Sequence, residues 1–163
     1  MSELVGRTLE LLAETKDDFL SAVKNIFNTR KMATLKISDL SVGDWVEIDH
    51  EDYGWQPAQI NVCGGLGIGV YFKDIDPEEE YDCTLSQARP IPITAEVLEK
   101  NGIHRTYEDD TYAIFRGDGL WAVKYSDGDW ELSTPPVCRV DIKYVHQLQH
   151  ALRLAGIDKE INL

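Results

Sequence analysis

The chain has 163 residues, 43% of them hydrophobic, enough for one packed domain or two very small ones, and a formal charge of −13. No apolar run approaches the roughly 18–20 residues of a membrane-spanning helix, and so acidic a chain is a poor ligand for nucleic acid or anionic lipid, whose binding draws on Lys and Arg. Cys63, Cys83 and Cys138 are odd in number and widely spaced, the pattern of reduced thiols in a cytoplasm rather than of a disulfide framework.

The opening "MSELVGRTLELLAETKDDFL" mixes acids with apolar residues and has no small-residue cleavage site, so a secretory signal is not expected. Over residues 3–28, Leu4, Val5, Leu9, Leu12, Phe19, Val23, Ile26 and Phe27 recur mostly at three- and four-residue steps, which predicts an amphipathic helix. Its apolar stripe packs on the body or pairs with a second copy, giving a homodimer through this helix. Residues 1–31 hold five acids (Glu3, Glu10, Glu14, Asp17, Asp18) and five bases (Arg7, Lys16, Lys24, Arg30, Lys31). The whole −13 therefore falls on residues 32–163, with 24 acids against 11 bases.

"SVGD" reads as a turn, followed by a half-buried strand in which Val46 and Ile48 alternate with Trp45, Glu47 and Asp49. "WQPAQINVC" and "GIGVYF" read as two further strands, with Pro57 at an edge or bulge. "DIDPEEEYD" holds six acids and no base and reads as a solvated loop. "YDCTL" and "ARPIPI" supply two short strands. Five strands in so short a span predict an SH3-like small β-barrel. "ITAEVLEKNGI" predicts a helix capped by Thr94 and ended by Gly102. "TYAIF", "LWAVKY" and "WELS", joined by "RGDG" and "SDGD", predict a β-meander. "VDIKYVHQLQHALRLAGI" predicts a last helix, with Ile142, Val145, Leu148, Leu152 and Ala155 inward and Gly156 closing it. The expected fold is α+β: an N-terminal amphipathic helix over 1–31, an SH3-like barrel over 32–93, and a helix, β-meander and C-terminal helix over 94–163.

The order "PIPITAEVLEKNGI" then "IKYVHQLQHAL", after "SDLSVGDWV", resembles a family of small uncharacterised proteins of gut anaerobes and their bacteriophages. That family runs from "L-x-x-G-x-x-V" through "PIPLT-x-x-W-L-x-x-x-G-F" to "I-K-Y-V-H-x-L-Q-N". The resemblance covers roughly 32–163 and departs at Val97, where the family has Trp, and at His150, where it has Asn. It implies no assigned activity and no catalytic residues. It makes Met32 resemble the family's usual start, and it implies a bacterial or phage-infected cytoplasm.

Chemistry-bearing motifs are few. Gly64, Gly65, Gly67 and Gly69 run into a strand rather than a helix, with no Lys-Ser/Thr following, so they fit a hairpin and barrel curvature better than a phosphate loop. His146 and His150 are four apart, but Gln147 stands where a zinc-protease Glu is needed, and Lys143 and Arg153 share the stripe. "DIDPEEEYD" lacks calcium-loop spacing. The cysteines show no CxxC, and no Gly-x-Ser-x-Gly occurs. No cofactor, metal site or catalytic residue is implied.

Trp45, Tyr53, Trp55 and Tyr71 are placed on or beside the barrel loops, where they either close a small core or line a groove. Asp49, Glu51 and Asp52 adjoin Tyr53 and Trp55, and these five form the candidate binding site. The reading is a non-enzymatic binding or adaptor protein engaging a basic peptide or protein surface, with no direct nucleic-acid or membrane contact. The alternatives are a phage-borne DNA-mimic decoy against a host defence protein and, below it, a hydrolase with a Cys–His site assembled by folding.

Overall fold

The structure, a computed structural model, describes residues 35–163 apart from Leu66, Pro135, Pro136 and the side chains of Thr134, Val137 and Cys138. The helix expected over 3–28, and any pairing through it, lie outside these residues. Leu35–Leu163 is one unit.

Gly43 and Asp44 lead into β1 (Trp45–His50), which turns into β2 (Gly54–Cys63). β3 (Ile68–Phe72), β4 (Asp76–Cys83) and β5 (Ala88–Pro90) follow. They form one antiparallel sheet in the order β4-β3-β2-β1-β5. Its inner face buries Val46, Ile48, Ala58, Ile60, Ile68, Val70 and Phe72, with Leu35 and Leu40 packed against them. The short helix α1 (Ala95–Lys100) starts on Thr94, whose hydroxyl accepts from the Val97 N–H, and gives way to Gly102 at φ +74.

The second sheet contains β6 (His104–Glu108), β7 (Tyr112–Gly117), β8 (Leu120–Tyr125), β9 (Trp130–Thr134) and β10 (Val137–Ile142) in sequential order. Asp118-Gly119 joins β7 to β8 with both residues at positive φ, the backbone twist a two-residue hairpin requires. Phe115, Leu120, Ala122, Trp130, Leu132 and Ile142 face α1 and the ten-residue helix α2 (Val145–Leu154). Trp121, on the opposite face of β8, is 53% exposed beneath the Arg116 guanidinium, 4.4 Å away. No helix among the described residues is long and apolar enough to cross a membrane.

The expectation of an α+β fold with an SH3-like barrel is corrected. The described chain is mostly two antiparallel sheets, with one helix longer than two turns near its C-terminal end, and neither sheet closes. In the first sheet β5 is three residues long and pairs with β1 only over Val46–Ile48, while β4 pairs only with β3. Pro90 and Pro92 lack the N–H a longer closing strand needs.

Two local expectations also change, and one unassigned stretch is placed. The acidic run is β4 rather than a loop, because a terminal strand tolerates charge on its open edge. Val140–Ile142 is the end of β10, and the last helix starts only at Val145. There the Gln147 Oε1 accepts from the Lys143 and Tyr144 N–H groups and fixes the helix start. "HRTYE", unassigned from sequence, is the fully exposed edge strand β6.

Candidate functional site

The β1–β2 hairpin pairs Asp49 with Trp55 and His50 with Gly54, leaving Glu51, Asp52 and Tyr53 at its tip. Among the described residues β1 has no strand partner on its outer side beyond Ile48, and there His50 meets Tyr81 of β4. Between them lies a cavity of about 330 Å³. Asp49, Glu51, Asp52 and Asp82 line it with His50, Phe72, Tyr81 and Gln87, and among the described residues no Lys or Arg does.

Its apolar part is an edge-to-face ring cluster. His50 lies 5.2 Å from Phe72 and 5.7 Å from Tyr81 between centroids, and Phe72 lies 5.1 Å from Tyr81. Tyr53, 58% exposed, leans on His50 at 4.9 Å. The His50 Nδ1 accepts the Asp52 N–H at 3.1 Å, which leaves the ring proton on Nε2. Burial, and then the charges of Glu79 and Asp76, push the Tyr81 hydroxyl above its usual range, so it stays a protonated donor. Burial and Asp82 likewise push the Cys83 thiol up. A cavity lined by four acidic residues and an aromatic wall, with no Lys or Arg from the described residues, offers a cation both charge and ring surface.

Asp49, Glu51 and Asp52 therefore line one cavity, while Tyr53 does not line it and touches only its His50 wall. Trp55 does not join them. Its ring lies 4.1 Å from the Arg89 guanidinium, which also bonds Glu47 at 2.5 Å. Trp45 is no loop aromatic either. It is 6% exposed, packs in the core of the second sheet, and donates its Nε1–H to the Ile161 carbonyl at 2.7 Å. Tyr71 lies beside Asn61 and Glu80. Sequence reasoning missed His50, Phe72, Tyr81 and Asp82. Phe72 and Tyr81 are ordinary strand residues there, and only the sheet's curl brings β4 opposite β1.

The glycine run is a hairpin. A Cβ on Gly67 would collide with the Cys83 carbonyl oxygen, and one on Gly69 with the Glu80 carboxylate, whereas Gly65 meets nothing within 4 Å. Gly67 thus serves close strand approach, whereas the Glu80 carboxylate beside Gly69 ends a flexible side chain that can turn away. His146 and His150 sit 6.1 Å apart between ring centroids. The His150 Nε2 is 2.7 Å from the Asp44 Oδ2, and Arg153 donates to the Asp44 Oδ1 at 2.8 Å. Among the described residues no three His, Cys, Asp or Glu side chains converge on a metal-sized site. The Cys63 thiol is pushed up by burial and by Asp44, so it and Cys83 remain protonated at neutral pH, the wrong state for a nucleophile.

No family model matches the chain, and no curated protein or solved structure is significantly similar to it.

Proposed function

We propose that this protein is a non-enzymatic binding or adaptor protein whose cavity between β1 and β4 takes a Lys or Arg side chain from a basic peptide or protein surface. The observation that carries the reading is a cavity lined by Asp49, Glu51, Asp52 and Asp82 together with the His50–Phe72–Tyr81 rings, with no Lys or Arg among its described lining residues. Carboxylates steer a cationic partner and raise its on-rate, and the rings supply contact surface for the aliphatic stem.

Fluorescein-labelled hexalysine tests it by anisotropy. Binding is expected at 50 mM salt and weakens about tenfold at 300 mM, because the contact is ionic. Asp49→Asn with Asp82→Asn is expected to weaken it at least fivefold. Glu96→Gln with Asp110→Asn removes the same charge from exposed positions elsewhere and is expected to change it less than twofold. Equal losses in the two double variants would place the attraction in net charge alone and reject the cavity.

A further inference from the structure

Resting on that reading, we infer that the basic partner binds as an extended strand along the open edge of β4, with a Lys or Arg side chain entering the cavity. β4 is the terminal strand of the first sheet, so alternate backbone N–H and C=O groups on its outer side have no strand partner among the described residues. Its regular pairing with β3 runs over Glu80–Cys83, opposite Tyr71–Ile68. Tyr81, Asp82 and Cys83 from this stretch line the cavity. The facing wall is Asp49 and His50 of β1, which also lie beyond the reach of β5. An added strand here gains main-chain hydrogen bonds from β4 and places alternate side chains toward the cavity.

Charge selects the occupant. β4 carries Asp76, Glu78, Glu79, Glu80 and Asp82. Two copies pairing edge to edge along β4 would set these acids against one another, so this edge is guarded against self-association. A segment that alternates Lys or Arg with β-forming residues turns the same repulsion into attraction. The edge is therefore selective for basic strands.

The probe is an acetylated, amidated hexapeptide of alternating lysine and threonine, used with the full chain. Two analogues carry N-methyl groups on all the lysine amides or on all the threonine amides. N-methylation removes the donor and crowds the edge while leaving the charge unchanged. Successive residues of a strand point their amides to opposite sides, so only one analogue is expected to bind at least tenfold more weakly. In the complex, amide hydrogen exchange within Glu80–Cys83 is expected to slow at least tenfold. Equal effects of the two methylation patterns, or unchanged exchange in this stretch, overturn strand addition while the basic-partner reading stands. Failure of the unmethylated peptide to bind at 50 mM salt overturns both.

Discussion

Asp44 shows how one residue ties the two halves of the described chain together. Its carboxylate is 0% exposed and accepts from the Ser41 N–H, Arg153 and His150. A carboxylate only accepts, so the His150 Nε2 carries the proton of that contact. Asp44→Ala leaves two donors of α2 facing a buried gap, and the expected loss is about 3 kcal/mol by urea unfolding. Arg153 is partly exposed, so Arg153→Ala is expected to cost about 1 kcal/mol or less. His146, 3% exposed, stacks on Tyr144, and its Nδ1 has no hydrogen-bond partner among the described residues. Burial lowers its pKa from 6.5, and His150 adds to this while Asp44 and Asp39 oppose it. The folded state thus keeps the ring neutral at a pH where the unfolded chain binds a proton. Stability from this group is complete above about pH 6.5 and falls as pH drops below it. The urea midpoint is expected to fall between pH 7.5 and 5.5, and by less in His146→Leu. Equal falls in the two proteins would assign the effect to other groups.

At the scale of elements, β4 and the glycine hairpin show backbone geometry overriding composition. A run of acids is a poor strand by propensity, yet it pairs with β3 because one face packs Tyr81 and Cys83 on the sheet while its outer edge stays in water. Gly67 is held by its neighbour: Gly67→Ala pushes a methyl into the Cys83 carbonyl oxygen, which belongs to the backbone and does not give way. The expected cost is about 2 kcal/mol by thermal unfolding, against a change within about 0.5 kcal/mol for Gly65→Ala, which meets open space. Similar values for the two would remove close approach as the reason for Gly67. α2 works on two sides. Val145, Leu148, Ala151 and Leu152 enter the core of the second sheet, while Gln149 accepts the Trp45 N–H and donates to the Gly43 carbonyl.

For the whole of Leu35–Leu163, the last residues complete the packing. Ile161 is fully buried in the core of the second sheet, and its carbonyl takes the Trp45 indole N–H. Asn162 exchanges hydrogen bonds with Asn101 at the end of α1, through its own N–H and carbonyl. Trp45 belongs by chain to the first sheet and by packing to the second, so the sheets share stability. Ile161→Ala is expected to cost about 3 kcal/mol, and fluorescence and far-UV circular dichroism are expected to report one common urea transition for it and for the parent protein. Two separated transitions in the parent would show that the sheets unfold independently.

Much of the local structure was legible. Val46 and Ile48 alternate into the core, Thr94 and Gly102 bound α1, Asp118-Gly119 turns a hairpin, and Val145, Leu148 and Leu152 form the buried stripe of α2. Each depends on a periodicity or a turn preference that acts over a few neighbouring residues. The binding reading drew Asp49, Glu51, Asp52 and Tyr53 from one hairpin for the same reason. What only the tertiary structure decided is long-range: that β4 and β5 leave the first sheet open, that Tyr81 meets His50, that Trp45 leaves its own sheet for the other core, and that Asp44 meets His150 and Arg153. Strand pairing and side-chain burial between distant segments depend on which edges and faces meet in space, and neighbouring residues along the chain carry no record of that meeting.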